Sequence, residues 1–236
     1  MSVGTRQPRN EQAPLERVEL HSGDRMTREE FHRAYRLMPE DFKAELIGGI
    51  VYVSSPLKRF HATRHLSLGT AFFLYAGRTA GLEAGDNGTV ILGEEDEPQP
   101  DLTLRILPEF GGQSRTTRED YIEGAPELVA EIAHSTRALD FHAKKQAYAA
   151  GGVLEYIVLS LRDRSLSWFD LAKGRELPPG PDGVIRSQVF PGLWIDPAAL
   201  FAMDAGRMVA VMEAGLASPE YAAFAARLKT AGPRPI

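Results

Sequence analysis

The stretch "APELVAEIAHST", residues 125–136, carries the feature that most restricts the fold. Leu128, Val129, Ala130, Ile132 and Ala133 make a nearly continuous apolar run of strand length, which predicts a central strand covered on both faces. Glu131 interrupts it. Side chains alternate along a strand, so Val129, Glu131 and Ala133 share one face. A lone carboxylate buried there costs several kcal/mol or takes up a proton. The position therefore demands a partner: a backbone amide, an arginine or a metal ion.

The segments around this strand predict a mixed α/β sheet rather than a strict βαβ alternation. "MTREEFHRAYRLM" is a short helix with a capping box at Thr27 and Glu30. "AELIGGIVYVSS" is a strand or hairpin bent at Gly48-Gly49. Ala62, Leu66, Gly69 and Phe73 form a helical stripe, and Gly77 or Gly81 ends that helix. "TVIL" and "DLTLRIL" are strands, separated by the acidic loop "GEEDEPQP"; "TREDYIEG" is a short helix. "LDFHAKKQAYAAGG" is a helix ended by Gly151-Gly152. "LEYIVLSL", "SLSWFDL" and "VIRSQVF" are three further strands, and an Ala-rich helical tail starts near Pro197. This divides the chain into a flexible segment 1–25, a main domain 26–200 and a helical tail 201–236.

Composition removes several classes of function. The chain has no cysteine, so disulfides, thiolate catalysis and zinc–sulfur sites are excluded, and a reducing cytoplasm is the expected compartment. No apolar run approaches the roughly 18–20 residues that span a membrane. The polar first twenty residues lack the apolar core expected of a secretory leader. A net charge of −5 argues against a broadly basic nucleic-acid coat protein but not against an enzyme with one basic patch.

Three residues stand out as candidate chemistry. Asp101 opens a strand after Pro100, Glu131 lies in the next apolar strand, and Lys144 sits in the helix that follows. If the two strands are neighbours, Asp101 and Glu131 converge at one sheet edge, where two carboxylates repel unless a cation lies between them. Carboxylate oxygens from two strands, completed by water and phosphate, suit Mg²⁺. Asp140, Lys144 and Tyr148 recur every fourth residue, so Lys144 can reach over the carboxylates. Singly, each has an ordinary reading: a turn aspartate, a glutamate paired with arginine, a solvated lysine. Lys58, His61 and His65 share a helical face with Arg59 and Arg64 close by. This is either a solvated face or a set of phosphate contacts that position a backbone without reading bases.

"PQPDL", "PELVAEIAHST" and "DFHAKKQAYAAGGVLEYIVL", taken in order, resemble the PD-(D/E)XK nuclease superfamily and, more closely, its bacterial Uma-type family of restriction endonucleases. The resemblance runs from Ala44 to Ile157. It implies a restriction-endonuclease-like core: a central mixed β-sheet flanked by helices. It also implies that Asp101 and Glu131 are catalytic metal ligands together with the Ile132 carbonyl. Lys144 then replaces the superfamily lysine, which would stand at Ala133. Glu45 becomes an auxiliary ligand, its ordinary reading being a solvent-facing strand residue. His61 matches the family's helix histidine and, with Lys58, Arg59 and Arg64, makes the nucleic-acid contact. Where the family often has Asp-Gly-Glu, this chain has Gly48, Gly49 and Ile50, which removes an acidic position.

The expected function is metal-dependent endonuclease activity with Mg²⁺ or Mn²⁺ as cofactor and nucleic acid, DNA first, as partner. A homodimer is expected and a membrane is not. The alternatives are a catalytically silent nuclease-fold module that binds nucleic acid or protein, and a metal-free hydrolase using Asp101 and Glu131 as acid and base.

Overall fold

The computed structural model describes residues 19–39, 41–56, 58–133 and 138–233. Helix α1 (Arg28–Tyr35) precedes a hairpin of β1 (Ala44–Ile47) and β2 (Ile50–Val53) and the long helix α2 (Arg59–Arg78). Strands β3 (Leu82–Asp86), β4 (Val90–Ile91), β5 (Leu102–Ile106), β6 (Arg115–Thr116), β7 (Ile122–Glu123) and β8 (Leu128–Glu131) follow. A π-helical segment (Leu139–Lys144) runs directly into α3 (Lys145–Gly151). Strands β9 (Glu155–Ser160), β10 (Ser165–Asp170), β11 (Arg175–Glu176), β12 (Ile185–Arg186) and β13 (Trp194–Ile195) come next. Helices α4 (Pro197–Ala202), α5 (Ala205–Leu216) and α6 (Pro219–Ala231) close the chain.

The main sheet has six strands in the order β11-β10-β9-β8-β5-β3. Only β8 and β9 run parallel; β5 lies antiparallel to β8 with Leu102 opposite Ala130. Strand β8 is central and buried throughout, as its apolar run predicts. On one face Leu104, Leu128, Ile157 and Trp168 pack under Phe72 and Tyr75 of α2 and Phe224 of α6. Burying a side chain such as Phe72 stabilises by roughly 1.5–3 kcal/mol. On the other face Val129, Tyr156 and Val158 pack under Tyr148 of α3. Among the described residues no helix is long and apolar enough to cross a membrane.

Local signals place several elements correctly. Thr27 caps α1 as a capping box: the Glu30 amide donates to its hydroxyl, and its own amide donates to the Glu30 carboxylate. Gly48 and Gly49 turn the hairpin with φ of +55° and +72°, the pair of positive values a two-residue turn between twisted strands requires. The hairpin is docked by paired backbone bonds between Leu46 and Glu97.

Other readings are corrected. "TREDYIEG" is not a helix. Thr117 and Tyr121 bond across a tight turn in which Asp120 is left-handed, and Ile122–Glu123 become β7 in a small three-stranded sheet with β4 and β6. "VIRSQVF" contributes only β12, paired with β13 outside the main sheet. Helix α2 is present, but the stripe through Leu66 and Phe73 faces outward, with these residues 70% and 71% exposed. Its buried face carries His61, Arg64 and His65 beside Leu68, Phe72 and Tyr75, because these polar groups reach partners inside the fold. Of the expected flexible segment 1–25, the first eighteen residues lie outside the described ones, while Gly23 and Asp24 bond to Val51 of the hairpin. In the tail, α6 packs on the chain's own core, with the Tyr221 hydroxyl donating to the Arg78 carbonyl.

Glu155 ties the sheet to the segment after β12. Its fully buried carboxylate accepts from Trp168 Nε1 (3.0 Å), Ser187 Oγ (2.7 Å) and the amides of Gln188 (2.6 Å) and Val189 (3.1 Å). Removing the carboxylate leaves four donors without their acceptor, two of them, the Trp168 indole and the Ser187 hydroxyl, in buried bonds. Glu155→Ala is therefore expected to lower unfolding free energy by about 3 kcal/mol or more in urea titrations. A loss under about 1 kcal/mol would mean these bonds are not what seats the segment.

Candidate active site

The β8 edge gathers charged side chains from four separate parts of the chain. Lys144, the last residue of the π-helical segment, is 5% exposed. Its Nζ lies 2.8 Å from Glu45 Oε2 on β1, 3.0 Å from Glu131 Oε1 on β8 and 3.9 Å from Asp140 Oδ1 one turn back. Tyr148 donates its hydroxyl to the same Glu131 oxygen at 2.7 Å. The backbone amide of Gln99, two residues before Asp101, donates to Glu45 Oε2 at 3.3 Å. The segment is wound as a π-helix, a frequent feature at functional sites, and Asp140 and Lys144 are both buried on it.

Among the described residues, one ammonium meets three carboxylates in this cluster. Burial pushes the Lys144 ammonium down, but Glu131, Glu45 and Asp140 outweigh it and hold its pKa above the usual lysine value. Burial pushes Glu131 well above the usual carboxylate range; Lys144 pulls it back, and Asp101, Asp140 and Glu45 push it up again. Burial, then the Glu131 charge, also raises the Tyr148 hydroxyl, so it stays a donor.

Asp101 stands just before β5, where the antiparallel ladder would next place it opposite Glu131. The Ile132 amide donates to Asp101 Oδ2 at 2.7 Å. His61 Nε2 lies 3.5 Å from Oδ2 and His65 Nδ1 3.8 Å from Oδ1. Burial pushes the Asp101 carboxyl up, yet the contact with His61, the bond from the Ile132 amide and the proximity of both imidazoles hold it below its ordinary value. On its far side His65 Nε2 lies 2.7 Å from Asp86 Oδ1, close enough for a charge contact but poorly aligned for a hydrogen bond. Ligand atoms of His61, His65 and Asp101 all lie within 4.8 Å of one another. Among the described residues Asp101, Glu131 and Glu45 do not close into such a group, since Lys144 stands between the two glutamates.

The predicted residues thus separate. Asp101, Glu131, Ile132, Lys144 and Glu45 meet around the β8 edge, and His61 joins them through Asp101. Lys58 and Arg59 are exposed at the start of α2. Arg64 is committed inside the protein: Nη2 donates to the Phe201 carbonyl at 2.8 Å and the guanidinium stacks over Phe60, fastening α2 to α4. The Ser135-Thr136 pair after Glu131 lies outside the described residues. One contributor was not foreseen: Asp86 carries no local signal, since only the β3–β5 pairing brings it there. His65, expected on a phosphate-contact face with Lys58 and His61, instead stands between Asp101 and Asp86.

Comparison with known proteins places this geometry in context. A family model, Uma2, described as putative restriction endonuclease, matches residues 28–199, a span that contains every one of these site residues. Among solved structures the chain is similar to a putative nuclease from Anabaena variabilis. The two are 14% identical, the match covers 72% of this chain and 96% of that one, and the TM-score is 0.58. At that identity the likeness is one of fold. No curated protein matches. With well over half of its length matched, the chain belongs to the Uma2 family of restriction-endonuclease-like proteins.

Proposed function

We propose that this protein is a divalent-metal-dependent endonuclease that hydrolyses phosphodiester bonds of nucleic acid, with DNA as the expected substrate. The observation that carries this reading is Lys144, a buried ammonium held against Glu131 and Glu45 beside Asp101. Folding does not need such a cluster, because apolar residues of similar volume would fill the space at no greater cost. The hard oxygen donors of Asp101, Glu131, the Ile132 carbonyl and Glu45 suit Mg²⁺ or Mn²⁺. When bound there, such an ion lowers the pKa of water and neutralises charge developing on phosphate. Lys144 orients the attacking water or stabilises the phosphoryl oxygens electrostatically. Tyr148 holds Glu131 in place, and the exposed Lys58 and Arg59 contact the phosphate backbone.

The proposal includes a homodimer. Every exposed residue of α2 from Ala62 to Gly77 is uncharged. Phe73 and Leu66 form a ridge between two grooves, one lined by Gly69, Ala84 and Gly85, the other by Met203, Met208 and Val209. A ridge beside its own complementary groove suits a second copy related by a two-fold axis.

Three outcomes are expected. Calorimetric titration of Mn²⁺ should show Lys144→Ala retaining or gaining affinity while nucleic-acid cleavage falls by orders of magnitude; Asp101→Ala should lose both. Unchanged cleavage by Lys144→Ala would refute the assignment, and metal binding without cleavage by the wild type would favour the silent module. A second outcome concerns pH. With Glu131 raised in the folded state, the metal-free folded protein binds a proton that the unfolded chain releases near pH 4.5, so stability falls as pH rises above that value. Urea titrations from about pH 5 to 8 should show wild type losing stability relative to Glu131→Gln; parallel curves would contradict it. Finally, sedimentation should show a dimer at micromolar concentration and a monomer for Phe73→Glu, and a monomeric wild type would remove the dimer.

A further inference from the structure

Two histidines one helical turn apart face inward from α2 while the outward face of that helix is apolar. Leu68, Phe72 and Tyr75 share that buried face, where an amphipathic helix ordinarily carries apolar residues alone. The placement brings His61 Nε2 and His65 Nδ1 to opposite oxygens of Asp101, at 3.5 and 3.8 Å. Neither separation is a close hydrogen bond, and one ligand atom from each of the three residues lies within 4.8 Å of the other two. His61 Nδ1 is buried with no hydrogen-bond partner, so burial of that ring gains nothing from polar contacts on its far side. His65 Nε2 likewise lacks a hydrogen-bond partner, but Asp86 Oδ1 stands 2.7 Å from it as a charge contact. A carboxylate behind an imidazole favours the proton on that nitrogen and leaves the opposite lone pair free, the arrangement that commonly backs a metal-bound histidine.

We infer that His61, His65 and Asp101 form a nitrogen-rich site for a first-row transition-metal dication such as Mn²⁺, Co²⁺ or Zn²⁺, on the α2 side of Asp101, with Asp86 orienting His65. This deepens the nuclease reading and rests on its assignment of Asp101 as a metal ligand. The site is distinct from the oxygen set around Lys144, since its two imidazoles come from α2 and neither touches Glu131, Glu45 or Lys144. Its chemistry separates it from an all-oxygen Mg²⁺ site: imidazole nitrogen favours transition dications, whereas Mg²⁺ prefers carboxylate, carbonyl and water oxygen. Asp101 is shared between the two sets, so the ion that loads the α2 side sits beside the catalytic carboxylates.

The test is Co²⁺ titration of the chelator-treated full chain, followed by calorimetry and visible absorption and repeated with Mg²⁺. Wild type should bind Co²⁺ at least tenfold more tightly than Mg²⁺. His61→Asn and His65→Asn should each weaken Co²⁺ by roughly 10–100-fold and change its absorption bands. Asp86→Asn should weaken it by about tenfold. Asp86 has a side chain 70% exposed, so this variant tests the site without disturbing the core. Glu131→Gln should keep the Co²⁺ spectrum. Equal Co²⁺ affinity in wild type and both histidine variants would overturn the site, as would tighter binding of Mg²⁺ than of Co²⁺. The two readings fail separately. If wild type cleaves no nucleic acid with any of these ions but the histidine variants still lose Co²⁺, the nuclease reading falls and the site stands. If cleavage depends on Lys144 while both histidine variants bind Co²⁺ normally, the site falls and the nuclease reading stands.

Discussion

A charged lysine inside a protein is an expensive element, and the architecture here is arranged around one. Stripping an ammonium of water costs several kcal/mol even after relaxation, and the cost is recovered only where carboxylates meet it at close range. Lys144 meets Glu131 at 3.0 Å and Glu45 at 2.8 Å. Those partners come from a central strand and from a hairpin nearly a hundred residues earlier, so the interaction fixes how the hairpin, the sheet and the π-helical segment sit together. Loss of the Lys144 charge would leave both carboxylates without their shared cation, which ties the position of Glu45 to that of β8.

The buried glutamates divide by what satisfies them. Glu127 accepts from the amides of Ile106 and Gln113, and Glu155 from two amides, an indole and a hydroxyl. Such carboxylates stitch loops to strands, and their donors cannot leave without unfolding something. Glu131 is held instead by a side-chain ammonium and a phenol. Side chains can rotate when a competing cation arrives; backbone amides cannot. That difference, rather than burial itself, sets Glu131 apart from Glu127 and Glu155.

Helix α2 serves both sides of the molecule. Leu68, Phe72 and Tyr75 seat it on the sheet, Arg64 fastens it to α4, and the two histidines of its buried face reach Asp101. Burying those polar groups fixes the helix's rotation and leaves Leu66 and Phe73 in solvent. The exposed apolar ridge and the inward histidines are two consequences of one rotational setting.

Much of this was legible in the chain alone. The apolar run around Glu131 specified a central strand because only a two-sided layer accepts such a sequence. Thr27 with Glu30, and Gly48 with Gly49, marked their cap and turn because those geometries depend on neighbouring residues only. The order of Pro-Asp, Glu131 and Lys144 carried the family. Tertiary structure decided what no local pattern encodes. It chose which face of α2 is buried, because the partners of Arg64 and His65 lie on distant segments. It made "TREDYIEG" a tight turn leading into the two-residue strand β7, because pairing with β4 and β6 outweighs weak helix propensity over so short a segment. It brought Asp86 behind His65 through the β3–β5 pairing. It also resolved one predicted cluster into an oxygen-lined side around Lys144 and a nitrogen-lined side on α2, a division set by distances between side chains that sequence spacing cannot measure.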